Sequence, residues 1–339
     1  MQTMRALVAH KVGEPAEGLR LETRPIPEPG VGEIRIRVEA TPVHASDLHI
    51  LRGRYGFAPT FPTVLGLESV GVVDKLGDGV SGVVSGQRVI TLGVAGTWQE
   101  YIVVDATRVL VVPDGISLST AAQMIINPVT ALVLVQDELQ VQAGEWLLQT
   151  AAGSAVGKLI IQLGKHFGFK TLNVVRRRAA VNEILELGGT AVICTEDENL
   201  SQRVAEIAGA QGVTKAIDCV SGQVGADVCR ALSPGGEMLV YGALATHRQT
   251  DAEKLTIPLF ARSMIYETKT VRGFWLYRWF TATPKNEVQS AVKRTLDLVS
   301  NGTLKVPEGQ PFKLEVFADA VALAEAPAHG GKPLLVFEG

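Results

Sequence analysis

Apolar and polar residues alternate in the first third of the chain. In the segment GEIRIRVEATPV, Ile34, Ile36 and Val38 alternate with two arginines and a glutamate. This period of two predicts a half-exposed antiparallel strand. Proline-rich loops lie on both sides of it, and short β segments separated by glycines follow. The first third therefore predicts a β-rich domain.

The pattern changes near residue 120. The segment STAAQMIINPVTALVLVQDEL predicts a helix that is interrupted at Pro128. Beyond it, apolar strands such as WLLQTA alternate with helical segments, the first of which places Val156, Leu159, Ile160 and Leu163 on one face. Alternation of strands and helices predicts an α/β fold with a doubly wound parallel sheet.

Composition and charge exclude several classes of protein. The net charge of −3 gives no basic field for nucleic acid, and no apolar run is long enough to cross a membrane. The cysteines, Cys194, Cys219 and Cys229, form no C-x-x-C pair, which argues against a disulfide framework and a clustered zinc site. The first ten residues resemble neither a signal peptide nor a transit peptide. We therefore expect a soluble, cytoplasmic protein without a nucleic-acid or membrane partner.

A glycine-containing turn joins the first strand of the α/β region to its helix. In LLQTAAGSAVGKLI, the three positions of a Gly-x-Gly-x-x-Gly fingerprint hold Ala152, Ser154 and Gly157. Small residues at these positions let backbone amides approach a pyrophosphate at the helix N-terminus. A tight βα turn of another α/β protein would fit these residues equally well. The contacts predicted for a dinucleotide are Gly153, Ser154, Ala155, Val156 and Gly157.

Three arginines at the end of the next strand favour one dinucleotide. Proteins that bind NAD usually carry an acid about 20 residues beyond the glycines, for the ribose 2′-OH. Arg176 stands nineteen residues after Gly157 instead. A guanidinium binds a phosphate through several donors, so we predict NADPH, with Arg176 and Arg178 on the 2′-phosphate and Arg177 as a bystander. The alternative is a solvated, arginine-rich strand end, which does not explain the missing acid.

With these motifs, the sequence resembles the medium-chain dehydrogenase/reductase superfamily over essentially its whole length. The segments GLESVGVV, GTWQEYIVV, AAGSAVG and LSPGGEMLVYGAL follow the order of that family. INPVTA, LNVVRRR and VRGFWLYRW are most similar to its zinc-independent NADPH-dependent 2-enoyl thioester reductases, with quinone oxidoreductases next. The resemblance implies a GroES-like catalytic domain, residues 1–120 and 271–339, and a Rossmann NADPH-binding domain, residues 121–270.

The resemblance also allows the ligand positions of a catalytic zinc ion to be checked. Zinc-dependent relatives place a cysteine, a histidine and a second cysteine around the catalytic ion, and here those positions hold His44, Leu67 and Ile126. An open zinc site needs three protein ligands, and two of these positions are aliphatic. His44 and Glu68 are too few, so we predict no metal. His44 differs from the asparagine usual in enoyl reductases, and the sequence assigns it no role.

The resemblance implies the remaining site residues. Tyr55, in the loop LRGRYGFAP, matches a tyrosine that enoyl thioester reductases use as an acid or to position the substrate. A phenol, with an ordinary pKa of about 10, is a protonated donor at neutral pH. Packing of a mobile loop is the plainer role for such a residue. The remaining predicted cofactor contacts are Asn127, Tyr241, Gly242, Ala243, Leu244, Phe274, Trp275, Leu276 and Lys332.

Three functions remain open at this stage. The leading hypothesis is an NADPH-dependent reductase of 2-enoyl thioesters, because without a metal an activated C=C bond is easier to reduce than a ketone. The second is an NADPH:quinone oxidoreductase, and the third is an NADPH-binding protein without catalysis. The family resemblance also implies a homodimer. Phe274 and Trp275 could instead be core packing, as we expect for Trp279.

Overall fold

The chain forms two units that are distinguished by their internal contacts. The first unit contains Met1–Ile126 and Val306–Gly339, and the second contains Asn127–Lys305. The structure is a computed structural model that describes residues 2–246, 254–326 and 331–337.

The first segment of the first unit is mainly β-structure. Its strands are β1 (Thr3–Ala9), β2 (Leu19–Pro25), β3 (Glu33–Pro42), β4 (Thr63–Val64), β5 (Val70–Leu76), β6 (Arg88–Thr91), β7 (Tyr101–Asp105) and β8 (Val109–Val111). Its helices are short: α1 (Pro15–Gly18), α2 (Ala45–Leu51) and α3 (Leu118–Ala121).

Strands and helices alternate in the second unit. The helix α4 (Ile126–Leu132) leads into it and continues as π-helix over Val133–Glu138. The strands are β9 (Trp146–Gln149), β10 (Lys170–Val175), β11 (Ala191–Cys194), β12 (Lys215–Asp218), β13 (Glu237–Val240) and β14 (Thr270–Gly273). The helices are α5 (Ala155–Phe167), α6 (Val181–Glu186), α7 (Leu200–Ala208), α8 (Gly222–Ala231), α9 (Ala261–Tyr266), α10 (Leu276–Ala282) and α11 (Lys285–Ser300).

The last segment returns to the first unit. It contains β15 (Gln310–Lys313), α12 (Phe317–Glu325) and β16 (Pro333–Val336). Strand β16 pairs antiparallel with β3, and the larger sheet of the unit has the order β15-β16-β3-β5-β6-β8, with β7 also on β3. A smaller sheet has the order β2-β1-β4.

The alternation in β3 has the predicted consequence for burial. Ile34, Ile36 and Val38 are fully buried, while the residues between them are half-buried. Strand β3 pairs antiparallel with β5, β7 and β16. One face of β3 thus packs into the apolar core of the first unit, together with the buried Trp98 and Leu48. The predicted β-rich domain is confirmed.

The second unit contains the predicted doubly wound parallel sheet. Its strand order is β11-β10-β9-β12-β13-β14, and every neighbouring pair is parallel. Leu148 and Leu172, on two adjacent central strands, are fully buried, as expected for strands covered by helices on both faces. The predicted α/β fold class is confirmed.

The chain returns to the first unit later than the sequence analysis expects. The prediction places the return at residue 271, whereas the structure keeps the chain in the second unit until Lys305. The reason is that β14 pairs with β13 and extends the parallel sheet. Helix α11 follows and buries an apolar face that includes Ala291, Val292 and Leu298.

Candidate cofactor turn and buried polar cluster

The turn between β9 and α5 exposes backbone amides at a helix N-terminus. Ser154 caps α5, because its Oγ accepts a hydrogen bond of 3.1 Å from the amide of Gly157. The amides of Gly153, Ala155 and Val156 have no acceptor among the residues that the structure describes. Free amides at the positive end of a thirteen-residue helix suit the pyrophosphate of a dinucleotide.

The two glycines of this turn have different surroundings. A Cβ on Gly157 would lie 2.6 Å from the carbonyl oxygen of Ala152, so only glycine permits this approach of helix to strand. A Cβ on Gly153 would meet no atom within 4 Å, so that side of the turn is open. Ala151 has a left-handed backbone with φ of 47°, which sharpens the turn. The residues present therefore fit a dinucleotide.

Two buried side-chain amides stabilise the turn through hydrogen bonds. Gln149 Nε2 donates to the carbonyl of Gly157 at 3.1 Å and to Oδ1 of Asn173 at 2.7 Å. Asn173 Nδ2 in turn donates to the carbonyl of Ala191 on β11. Both side chains are fully buried. Neither residue was predicted as part of the site, and the sequence signals each of them only as a polar residue inside an apolar strand.

The carboxyl ends of β12 and β13 contribute a second polar group. The carboxylate of Asp218 accepts hydrogen bonds from Thr150 Oγ1 and from the amide of Ser221, at 2.7 and 2.9 Å. The hydroxyl of Tyr241 lies buried beside Cys219 and Ser154, and this burial raises the pKa of Tyr241 well above its ordinary value. The structure thus brings together Tyr241 and Ser154, two of the predicted contacts. Asp218 was not among the predicted contacts.

The other predicted contacts on this unit follow the ends of neighbouring strands. The carbonyl of Gly242 accepts from Ser221 Oγ at 2.9 Å, and the amide of Leu244 donates to the carbonyl of Cys219 at 2.8 Å. Ala243 lies between those two residues. Because all strands of the sheet are parallel, these residues lie with the glycine turn at the carboxyl ends of the strands.

The segment after β14 also lies at the carboxyl ends of the strands. The amide of Phe274 donates to the carbonyl of Val240 at 2.8 Å. Trp275 and Leu276 follow, half-buried, and the ring centroids of Trp275 and Tyr277 are 5.0 Å apart. Trp279 is 9 % exposed, in agreement with the core packing expected for it.

The three arginines have different partners. Arg176, Arg177 and Arg178 directly follow β10 and are exposed. Arg178 forms an ion pair with Asp197. Arg176 and Arg177 form no ion pair or side-chain hydrogen bond with any residue in the described part of the chain. To reach a phosphate, Arg178 would have to leave its acidic partner, whereas the other two would not.

Asn127 lies in the first turn of α4. Its side chain is half-buried and makes no hydrogen bond to a described residue. Pro128, the next residue, lies inside the first turn, where its missing N–H leaves no helical hydrogen bond broken. The predicted interruption at Pro128 is therefore wrong: the helical region breaks before Ile126 and not at the proline.

In the first unit, Tyr55 follows α2 in a loop. It is half-buried, packs against the apolar core, and forms an edge-on contact with Phe57 whose ring centroids are 5.1 Å apart. The packing role and the predicted catalytic role are both compatible with this position.

A buried polar cluster surrounds His44 in the same unit. The imidazole Nε2 of His44 donates to Oε1 of Glu68 at 2.7 Å, and Lys332 Nζ lies 3.4 Å from Nδ1 of the same ring. The second carboxylate oxygen of Glu68 accepts from the amides of Ile126 and Ile125, at 3.0 and 3.2 Å. Lys332, predicted to contact cofactor phosphates, thus contacts His44 here, a pairing that no local sequence pattern indicates.

Burial dominates the ionisation of this cluster. It raises the pKa of Asp47 to about 8, against the opposing effects of the His44 amide and the Lys332 charge. It also lowers the pKa of Lys332 and of His44, although Glu68 acts in the opposite direction on both. Asp47 Oδ2 accepts from the amide of His44 at 2.7 Å, while Oδ1 is buried without a hydrogen-bond partner among the described residues.

The cluster does not fit a catalytic zinc ion. The family resemblance places Leu67 and Ile126 at two of the three ligand positions of zinc-dependent relatives, and an aliphatic side chain offers no donor atom. Among the described residues, no three His, Cys, Asp or Glu side chains are grouped so that they could hold a metal ion.

No helix in those same ranges is both long and apolar enough to span a membrane.

Comparison with known families matches both units. Residues 30–114 match the family described as "Alcohol dehydrogenase GroES-like domain", and residues 155–297 match "Zinc-binding dehydrogenase". The "Enoyl-[acyl-carrier-protein] reductase, mitochondrial" of Xenopus tropicalis is 30% identical over 98% of this chain and 95% of its own length.

Solved structures give the same result for the fold. A protein from Bacillus thuringiensis, described as a candidate NADPH:quinone reductase, is 30% identical and has a TM-score of 0.92, with 100% of both chains covered. Etr1p, solved with NADP and crotonyl-CoA, is 24% identical with a TM-score of 0.87, covering 99% of this chain and 100% of its own. At that identity the second likeness concerns the fold alone.

The expectation of a cytoplasmic protein is wrong by the same comparison. The relatives from Xenopus tropicalis, Homo sapiens and Arabidopsis thaliana are all named mitochondrial. The expectation depended on the composition of ten residues, which does not decide the compartment.

Proposed function

The chain belongs to the medium-chain dehydrogenase/reductase superfamily, and from that premise we propose that it is an NADPH-dependent reductase of 2-enoyl thioesters. The observation that carries this choice is the 30% identity to an enoyl-[acyl-carrier-protein] reductase along nearly the whole of both chains. Loss of two zinc-ligand positions, at Leu67 and Ile126, supports reduction of an activated double bond without a metal.

The choice of NADPH is supported by the second unit. The free amides of Gly153, Ala155 and Val156 suit a pyrophosphate, and the exposed guanidinium of Arg176 suits a 2′-phosphate. We assign Asn127 to the nicotinamide half of the cofactor, because its side chain has no partner in the described part of the protein. Tyr241, Gly242, Ala243, Leu244, Phe274, Trp275 and Leu276 complete the proposed contacts.

The chemistry that NADPH supplies when bound is a hydride for the β carbon of the substrate. As the carbon–carbon double bond is reduced, negative charge moves to the thioester carbonyl oxygen, and a proton is then added at the α carbon. A hydrogen-bond donor directed at that oxygen lowers the barrier. We assign this role to the phenol of Tyr55, in the loop after α2.

A quinone reductase is the second candidate. It is favoured by the likeness to the Bacillus thuringiensis protein, which covers the whole chain at the same identity of 30%. A quinone accepts hydride into a conjugated ring and does not need a proton delivered to carbon.

Steady-state oxidation of NADPH, with crotonyl-CoA and with a naphthoquinone as acceptors, tests the proposal. We expect turnover of crotonyl-CoA that falls about 100-fold in Tyr55→Phe, because one donor to the developing charge is lost. Tyr101→Phe, another half-buried tyrosine in the first unit, is the matched control. Turnover of the quinone alone would favour the second candidate. Tight NADPH binding without turnover of either acceptor would favour the non-catalytic protein.

We also propose that the protein is a homodimer. Strand β14 is the last in the order of the described parallel sheet, so one of its edges is unpaired there. Several large apolar side chains in the segment that precedes β14 in the sequence are exposed: Leu255, Leu259, Phe260, Ile265 and Tyr266. A second copy would pair that edge and cover these side chains. Sedimentation should give the mass of a dimer, and Ile265→Glu should shift it to that of a monomer.

A further inference from the structure

His44 connects a charged residue to the start of a helix. Lys332 Nζ, 3.4 Å from Nδ1, is a donor only, so Nδ1 accepts and Nε2 carries the proton. Nε2 then donates to Glu68 at 2.7 Å. The other oxygen of Glu68 accepts from the amides of Ile125 and Ile126. Lysine, imidazole, carboxylate and backbone thus form one continuous series of hydrogen bonds.

This series ends where α4 begins. The first amides of a helix have no acceptor inside the helix, and here the carboxylate of Glu68 supplies one. Ile126 is the first residue of α4, and Asn127 follows it directly. A carboxylate at this end of a helix is also favoured by the helix dipole. Glu68 therefore anchors the first residue of α4, which directly precedes Asn127.

Burial leaves His44 and Glu68 no direct role in contacting the substrate. His44 is 3 % exposed and Glu68 is 2 % exposed. The main-chain carbonyl of Glu68 is also fixed, by the hydroxyls of Thr41 and Thr97 at 2.7 and 3.0 Å. A buried carboxylate without its donors would be strongly unfavourable, so each member holds the next in one arrangement.

We propose that Lys332, His44 and Glu68 are positioning residues that fix the first turn of α4 so that Asn127 binds the nicotinamide half of NADPH. This inference rests on the proposed function, since it needs NADPH as the cofactor. It gives His44 a role that requires neither a metal ion nor contact with the substrate. It also gives Lys332 a partner within the protein in place of a cofactor phosphate.

Substitutions of His44 can distinguish the role of Nε2, which donates to Glu68, from the role of Nδ1. Glutamine extends an amide to the position of Nε2 and keeps the donor to Glu68, whereas asparagine reaches only the position of Nδ1. Leucine removes both functions. We expect His44→Gln to keep the Kd for NADPH within about threefold of wild type, and His44→Asn and His44→Leu to raise it about tenfold or more.

The ligand used as a comparison is adenosine 2′,5′-bisphosphate, which carries the 2′-phosphate but no nicotinamide. Its Kd should change less than about twofold in all three variants. Fluorescence titration measures both ligands on the intact protein without turnover. An equal loss of affinity for both ligands would mean that His44 only stabilises the fold, and would overturn the proposal. Unchanged NADPH binding in His44→Asn would overturn it as well.

A double-mutant cycle with Asn127→Ala tests whether His44 acts through Asn127. If it does, His44→Asn added to Asn127→Ala should raise the Kd for NADPH by less than about twofold beyond Asn127→Ala alone. Additive losses would overturn the positioning role. Absence of NADPH binding by the wild-type protein would overturn the proposed function, and this inference with it.

Discussion

Arg178 forms an ion pair with Asp197, and its backbone amide donates to the carboxylate of Glu196. Arg178 is thereby tied to the loop after β11, while Arg176 and Arg177 have no such partner among the described residues. A guanidinium that turns to a phosphate must first give up any carboxylate that it already holds. We therefore expect Arg176 to bind the 2′-phosphate and Arg178 to order the loop.

Replacing Arg176 with aspartate should raise the KM for NADPH about 100-fold and change the KM for NADH less than about threefold. The reason is that the carboxylate repels the 2′-phosphate, which NADH lacks. Arg178→Ala is the control and should leave both values within about threefold. Equal losses with both cofactors in Arg176→Asp would mean that the arginine is only a surface charge.

The two glycines of the cofactor turn should respond differently to the same methyl group. Gly157→Ala places a Cβ 2.6 Å from the carbonyl oxygen of Ala152, and we expect a loss of about 2–4 kcal/mol in the free energy of unfolding. Gly153→Ala meets open space, so its unfolding should match wild type while its Kd for NADPH rises about tenfold. Denaturant unfolding and NADPH titration of both variants check this. A destabilised Gly153→Ala would contradict it.

Stability should depend on pH through Asp47. Its pKa in the folded protein, about 8, lies above the ordinary 3.8, so its contribution is fully present below pH 3.8 and is lost as the pH rises through 8. Asp47→Asn removes this ionisation. Relative to wild type, the variant should therefore gain on the order of 4 kcal/mol in unfolding free energy between pH 5 and pH 8.

Denaturant unfolding at the two pH values measures this difference directly. Asp114→Asn, at an exposed position, is the control and should run parallel to wild type. An Asp47→Asn profile that also runs parallel to wild type would mean that Asp47 is ionised in the folded protein.

The buried side-chain amide of Gln149 should stabilise the fold through its two hydrogen bonds. Gln149→Leu leaves the carbonyl of Gly157 and Oδ1 of Asn173 without their donor, and we expect a loss of about 1–3 kcal/mol. Gln211→Leu, on an exposed residue, should cost less than about 0.5 kcal/mol. Thermal unfolding compares the two, and equal effects would argue against a supporting role for Gln149.

Sequence patterns predicted those parts of the fold that local periodicity controls. The alternation in β3 and the strand–helix order of the second unit both follow from which residues can be buried on a face. The same logic placed Ser154 and Gly157 at a helix N-terminus. The edge strand β14 was different, because Thr270–Gly273 holds exposed and half-buried residues and carries no apolar pattern. Its place in the sheet depends on pairing with β13.

The buried cluster could not be predicted for a related reason. Lys332 and His44 are 288 residues apart, and no local pattern links them. A single histidine and a single lysine in polar segments each suggest a surface residue or a ligand contact. Only the pairing of β16 with β3 brings the two together, since Lys332 directly precedes one strand and His44 closely follows the other.

That pairing has a consequence for synthesis on the ribosome. Ala40 and Val336 are partners in the sheet, yet almost the entire chain is made between them. At the usual 5–20 residues per second, β3 waits roughly 15–60 s for its neighbour. During that time the end of β3 that pairs with β16, Ala40 to Pro42, is open to other nascent chains. Chaperones that shield strand edges should therefore raise the yield of this protein most while the second unit is being translated.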